Sequence, residues 1–275
     1  MNESDRTMRL GVMQPYFFPY LGYFQLMAAV DQWVVFDTSQ YTRRTWINRN
    51  RILANGGDPW KYVRIPVARH VRTSPISEIR IAGHADWKSD LLNDLDYYQI
   101  RHAPFRSETL DFLNHAIDSS SDRLVEILVH SLKITCQVLG IEHHQFLLAS
   151  EIGVRGMQVQ HSGQWALEVS RLLGAAEYVN PAGGRDLFVP SEFSGAGIKL
   201  KFLEPQLDEY QQQTNCFVPG LSILDALMWL GIAEVRRLVS GGQIVDASIS
   251  GDSTPTGPHP QHRDSLSAQG ISKAV

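Results

Sequence analysis

The sequence predicts an α/β protein: a Rossmann-like, mostly parallel sheet flanked by helices, with a central helical segment. Three observations predict it. Short apolar runs alternate with stretches of helical periodicity through most of the chain. The first unit reads "MRLGVM", "GYFQLMAAV", "QWVVFD", a strand, a helix and a strand in close succession. Such a unit pairs its strands in parallel through a right-handed crossover. A long run, "DRLVEILVHSLKITCQVLG", then interposes a helical middle before the later strands.

Each element has a local reason. "QWVVFD" is too short for a helix and β-branched at its centre. "KYVRIPV" and "ISEIRI" alternate apolar and polar residues, as half-buried strands do. The long middle helix ends at Gly140, a residue suited to the left-handed position that stops a helix. "QFLLAS" reads as a buried strand, and "QWALEVSRLLG" as a helix closed by Gly174. "EYVNPAGG" is a strand running into a Gly-containing loop, and "IKLKFLE" a late strand. "SILDALMWLG" and "IAEVRRLVSGG" are two closing helices.

The chain of 275 residues is 43% hydrophobic, enough for one sizeable core. From about Ala247 it becomes rich in Ser, Gly, Pro and His, without an apolar face. The expected organisation is a disordered N-terminus over residues 1–7, one α/β domain over 8–246 and a disordered tail over 247–275. No run approaches the ~18 apolar residues of a membrane span, and the polar start "MNESDRT" shows no signal peptide. The expectation is a cytoplasmic protein without membrane insertion. A net charge of −4 argues against general affinity for nucleic acid or membranes. Cys136 and Cys216 fit no zinc spacing; Cys136 lies in an apolar helical pattern and Cys216 in a loop. No metal constellation stands out, since His143 and His144 are adjacent and would point apart on a strand. No cofactor is indicated.

In this fold class ligands bind beyond the carboxyl ends of the strands. Two unusual stretches start there. "QPYFFPYLGYFQL", residues 14–26, holds three Tyr, three Phe and two Pro. Its phenylalanines fit a core. Tyr16, Tyr20 and Tyr23 need hydroxyl partners if buried, and with Gln14 they are candidates for a cleft wall. Gly22 opens the first helix, whose N-terminus attracts anions. The second stretch, "DTSQYTRRTWINRNRI", follows the second strand and carries Arg43, Arg44, Arg49 and Arg51 among Gln40, Trp46, Asn48 and Asn50. Residues 40–80 contain nine Lys or Arg against Asp58 and Glu78, a positive segment in an acidic chain. Arg offers a planar fork for phosphate or carboxylate, and Asn adds neutral donors and acceptors. The segment is either a solvated basic face or a site for an anionic ligand. Asp37, at the end of a buried strand, is a candidate general base or the partner of a cap or an Arg. Asn180, Gly183 and Gly184 in "NPAGG" form a loop that could hold phosphate. Tyr210 and Gln212 in "YQQQ" could point into the same cleft. Ser222-x-x-Asp225 reads as a helix cap rather than a nucleophile.

The strand-loop-helix-strand start faintly resembles nucleotidylyltransferases, but "YLGY" stands where those enzymes carry two histidines. A second resemblance is specific. "MQPYFFPYLGYFQLMAAVDQWVVFD", "QY", "WINRNRI", "YVNPAGG" and the closing "YQQQ" and "LSILDALMWLG" blocks resemble the WbqC-like protein family from Leu10 to about Gly231. Departures fall at Thr38, where the family commonly has a second acid, and at Arg43 and Thr45, where it has Lys and Gly. The family's recurrent positions map onto Gln14, Pro15, Tyr16, Pro19, Tyr20, Gly22 and Tyr23, then Asp37, Gln40, Trp46, Asn48, Arg49 and Asn50, and finally Tyr210, Gln212, Ser222 and Asp225. The resemblance implies a role in bacterial surface polysaccharide synthesis, including O-antigen. The expected function is therefore a transferase that moves an acyl or aminoacyl group to a nucleotide-linked amino sugar. Asp37, Tyr20 and Tyr23 are its expected catalytic residues and an anionic nucleotide sugar its partner. The alternatives are a non-catalytic assembly protein with an exposed aromatic surface, or nucleic-acid (tRNA) binding through residues 40–80.

Overall fold

A computed structural model describes residues 7–83, 86–141, 146–154 and 156–247. Expectations for residues 1–6, the His143–His144 pair and the tail from 248 onward lie outside the described residues. The central element is a six-stranded sheet in the order β5-β2-β1-β6-β7-β8. Its strands are β1 (Arg9–Met13), β2 (Gln32–Val35), β5 (Phe146–Leu148), β6 (Glu177–Pro181), β7 (Lys199–Glu204) and β8 (Gln243–Asp246). All pair in parallel except β7 with β8. Numbered within the sheet alone, the order is that of a doubly wound dinucleotide-binding fold. The chain moves outward from β1 to β2 and β5, returns across the sheet, and continues outward on the other side through β6 and β7. The reversal lies between β1 and β6.

Side-chain alternation sorts the strands into two cores. Trp33, Val35, Val179 and Leu203 join one cluster with α1 (Leu21–Ala28), α4 (Arg106–Ile117), α5 (Leu124–Leu139) and α8 (Ile223–Leu238). Leu10, Val12, Val34, Tyr178, Leu200 and Phe202 join the other with α6 (Gln164–Leu173) and α7 (Pro190–Gly195). Residues one apart on a strand face opposite sides, so these strands must be apolar on both faces. Their near-continuous hydrophobicity is the sequence signature of a helix–sheet–helix sandwich. Gly11 sits where the Trp33 ring crosses β1; a Cβ there would lie 2.8 Å from the ring.

The middle is helical as expected, with α2 (Trp87–Asp94), α3 (Asp96–Ile100), α4 and α5 following one another. Helix α5 ends at Gly140 and α6 at Gly174, both left-handed. The two closing helices are continuous in α8 but broken at Gly231, whose φ of 77° and ψ of 165° are not helical. A Cβ on Gly231 would lie 2.6 Å from the Phe105 ring, so packing also demands glycine there.

Two strand expectations change. "ISEIRI" is not a strand: Ile76–Glu78 form a 3-10 turn, and Arg80 and Ile81 make only isolated bridges to Arg123 and Val67. The run alternates because Ile76 and Ile79 are buried from a curved segment, not from a pleat. "KYVRIPV" is a strand, but not of the main sheet. Its β4 (Trp60–Arg64) pairs with β3 (Arg49–Leu53) in a separate antiparallel hairpin. The edge strand β8 carries no strong signal, being short and half-buried.

Replacing Gly11 by Ala should cost about 1–3 kcal/mol by forcing the Trp33 ring aside. The urea midpoint of unfolding reads this directly; an unchanged midpoint would show that the ring has room.

Candidate functional site

The β1–α1 loop crosses the carboxyl end of the sheet beside the reversal. It is fastened to the β3–β4 hairpin and to α8 by backbone carbonyls. Buried Phe18 has a φ of 40°, a conformation that costs a bulky residue free energy. Three side-chain bonds hold the turn. Asn50 Nδ2 donates to the Phe17 and Phe18 carbonyls at 3.0 and 2.8 Å, and Ser222 Oγ donates to the Phe18 carbonyl at 2.8 Å. Backbone bonds reinforce them, from Phe17 N to the Trp46 carbonyl, from Ile223 N to the Pro19 carbonyl and from Ser222 N to the Arg51 carbonyl. Ser222 also accepts from Leu224 N, so it is the helix cap expected of it.

The tyrosines of this loop lean into the core. Tyr20 and Tyr23 are buried, and Tyr16 is half-buried with its ring 5.6 Å from Tyr23. Tyr23 donates to the Gln14 carbonyl. Burial raises all three phenols, Tyr16 to about 12. The Tyr20 ring lies 2.5 Å from where a Cβ on Gly22 would be, across the first turn of α1. The ring therefore packs against the first turn of the helix whose N-terminus is expected to attract anions. Gln14 reaches Ser39 Oγ at 2.9 Å and ties β1 to β2.

Asp37 is 1% exposed, and Ser150 occupies both its oxygens, through N at 2.9 Å and Oγ at 2.6 Å. The carboxylate joins the ends of β2 and β5. Asn180 is also turned inward: it accepts from Tyr178 OH, donates to the Pro181 carbonyl, and packs where a Cβ on Gly184 would be 2.3 Å away. Gly183 and Gly184 lie in the 3-10 turn Ala182–Leu187 that follows.

Tyr210 and Gln212 converge, but on Asp225 rather than Asp37. Asp225 is fully buried in the first turn of α8. It accepts from Tyr98 OH at 2.7 Å, Tyr210 OH at 2.6 Å and Gln212 Nε2 at 2.8 Å. Gln212 also closes its own loop through both Val218 backbone groups. Burial pushes the Asp225 carboxyl up to about 6, against the opposing pull of its three donors. These residues form a scaffold behind the hairpin.

The face of the hairpin that carries Arg49 is different; it runs from half-buried Arg49 and exposed Arg64 to fully buried Leu53. Arg49, Arg51 and Leu53 alternate to one side and pair with Arg64, Tyr62 and Trp60. Arg49 lies 3.8 Å over the Tyr62 ring, and its Nε is buried without a hydrogen-bond partner. Arg51 lies over Trp60 and Trp46 and donates to the Gly220 carbonyl. Arg64, directly opposite Arg49, is exposed and forms no ion pair among the described residues. Like charges directly opposite on one face repel. Arg43 and Arg49 both flank Tyr41, a 3%-exposed phenol pushed up to about 12 by burial and partly offset by those two cations. The Tyr41 ring meets His70 edge-on at 5.0 Å. His70 Nδ1 bonds to the Ala68 carbonyl at 2.9 Å; a carbonyl only accepts, so Nδ1 is the donor and Nε2 takes no part in this bond. Gln40 donates to the Arg72 carbonyl, and Arg44 is exposed in a left-handed turn. On the opposite side Asn48 Nδ2 holds the Ile65 carbonyl, leaving Oδ1 buried and unpartnered. Thr38 Oγ1 is likewise orphaned. Among the described residues, Thr38, Asn48 and Arg49 all carry such buried orphan atoms within residues 38–49. Each such atom costs about 1–3 kcal/mol unless something binds it.

Arg64 and His70 were not among the expected site residues. Arg64 becomes visible only through the register of the hairpin, which alternation alone leaves open. His70 has no motif signal. Among the described residues no His, Cys, Asp or Glu cluster could hold a metal ion. No helix there is long and apolar enough to cross a membrane.

The fold defines an α/β protein of Rossmann strand order with an appended hairpin on which Arg49 and Arg64 form no ion pair among the described residues. The chain belongs to the WbqC-like protein family, whose profile matches residues 14–237. It is 27% identical over 225 residues to the uncharacterized protein Rv1507c of Mycobacterium tuberculosis (strain ATCC 25618 / H37Rv), covering 81% of this chain and 94% of that protein. No solved structure matches.

Asp225 generates a pH signature. Its folded pKa lies above the unfolded value near 3.8, so the unfolded chain loses this proton first as pH rises. The contribution is full below about pH 4, declines toward pH 6 and is level above it, by about 3 kcal/mol in all. Urea unfolding across this range should show the native protein losing stability relative to Asp225→Asn, in which the other carboxylates, Asp96 and Glu177 among them, titrate alike. A slope unchanged by the substitution would remove Asp225 as its source.

Proposed function

We propose that the chain is an enzyme of bacterial surface-polysaccharide synthesis that holds the phosphates of a nucleotide-linked amino sugar and transfers an acyl or aminoacyl group to its amine. One observation carries the anionic ligand: Arg49 and Arg64 face each other across the hairpin, Arg43 acts on the same Tyr41 phenol as Arg49, and among the described residues none of the three forms an ion pair. A protein pays repulsion to hold such a cluster, and a di- or triphosphate-level charge relieves it. Arg49 is stacked on Tyr62 and so loses little freedom on binding. Tyr41 adds a hydroxyl donor without a competing partner.

In this reading the amine nitrogen attacks the carbonyl carbon of an activated ester or thioester donor. The new N–C bond forms, the donor's leaving group departs with its electron pair, and the amine proton passes to His70 Nε2. The proton acceptor is thus His70 rather than Asp37, whose oxygens already hold Ser150. Asp37 then positions the carboxyl edge of the sheet, and Tyr20 and Tyr23 support the loop from the core. The assembly-protein alternative needs the aromatic stretch on the surface, whereas Phe17, Phe18, Tyr20, Tyr23 and Phe24 are all buried.

Calorimetric titration with UDP-, GDP-, dTDP- and CMP-linked sugars tests the reading. At least one should bind, and Arg49→Gln and Arg64→Gln should each weaken it about 10- to 100-fold. Thermal stability should stay level or rise slightly in both variants as repulsion is relieved. No binding by any of them, or binding indifferent to both substitutions, would overturn it.

A further inference from the structure

Beside the anion site, the loop of residues 69–73 contributes only half-buried His70 to the proposed reaction, while its other four residues are exposed and play no part in it. Arg69, Val71 and Arg72 are exposed, and Val71, at 69%, is the most exposed of the large apolar side chains described. Neither arginine forms an ion pair among the described residues. The loop is held at both bases. On one side Ala68 N bonds to the Arg80 carbonyl and Val67 bridges Ile81; on the other Tyr41 N bonds to the Ser74 carbonyl and Gln40 bridges Pro75. Ser74 N closes the turn on the Val71 carbonyl. Gln40 links the loop to the segment leading to Arg44, another exposed arginine that forms no ion pair among the described residues.

We infer that this loop docks the protein on an anionic lipid surface, with Val71 at headgroup level and Arg44, Arg69 and Arg72 against the phosphates. Charge alone would suit any polyanion. The apolar side chain thrust outward between two arginines favours lipid: it gains by leaving water only where the partner has an apolar layer beneath its charge. A nucleic-acid backbone offers the charge without that layer. The contact is peripheral, made by this loop of a chain whose net charge is −4.

The test is sedimentation of the full chain with phosphatidylcholine vesicles, with and without about a quarter phosphatidylglycerol, and titration with a mixed-sequence single-stranded RNA. Binding should require the anionic lipid and weaken with salt. Arg69→Gln with Arg72→Gln should reduce it about 25-fold, from roughly fivefold per charge. Val71→Asp should reduce vesicle binding at least as strongly. Both variants should keep the nucleotide-sugar affinity of the parent chain, so that a failure here is separable from a failure of the anion site. The inference is overturned if anionic vesicles bind no better than neutral ones, or if Val71→Asp leaves vesicle binding intact. RNA binding tighter than vesicle binding and indifferent to Val71→Asp would equally overturn it.

Discussion

The left-handed turn at Phe18 is the constraint on which the rest of the arrangement depends. A buried phenylalanine at a φ of 40° persists only where its surroundings over-determine it. Asn50 and Ser222 supply that determination from two separate elements, the hairpin and the start of α8. One carbonyl therefore locks three parts of the chain together: the loop after β1, the β3–β4 hairpin and the closing helix. Asp225, one turn into the same helix, extends the lock to Tyr98, Tyr210 and Gln212. The hairpin is not part of the main sheet, and this network fixes how it stands beside the sheet's carboxyl edge.

The recurrent motif positions consequently serve two purposes. Asn50, Ser222, Asp225, Tyr210 and Gln212 are inward-facing and hydrogen-bonded. Asp37 and Gln14 hold strand ends through Ser150 and Ser39. Arg49 stacks on Tyr62 opposite Arg64, without an ion pair among the described residues. Alternation on β3 separates the roles of neighbours: Asn50 holds the loop after β1, while Arg49 lies on the other face over Tyr62. Rigid support behind and uncompensated charge in front is what a preorganised anion site requires, because the repulsion is borne by the fold before any ligand arrives.

Much of this was legible in the sequence. Double-sided apolar strands, the glycines ending α5 and α6, and the break at Gly231 all follow from residue chemistry. The cap at Ser222 was also evident. What stayed hidden was pairing. Periodicity shows that residues 60–64 form a strand but not that they leave the main sheet to pair with residues 49–53. It cannot show that Tyr210 and Gln212 meet Asp225 instead of Asp37, since neither pairing leaves a local pattern in the sequence. The tyrosines of the opening stretch looked suited to a cleft because a hydroxyl needs a partner; Tyr23 found its partner in the backbone of its own loop. Arg64 and His70 entered the site through tertiary contacts that no local pattern encodes.

The division between scaffold and binding face is the central claim, and one paired measurement tests it most directly. Thermal stability and nucleotide-sugar affinity would be measured together for Asn50→Ala and Ser222→Ala on one side and for Arg43→Gln on the other. The account predicts that the first two lower stability, by about 1–3 kcal/mol each, while the fraction still folded binds with little change. It predicts that Arg43→Gln loses affinity at unchanged stability. Loss of stability and affinity together in all three variants would contradict it.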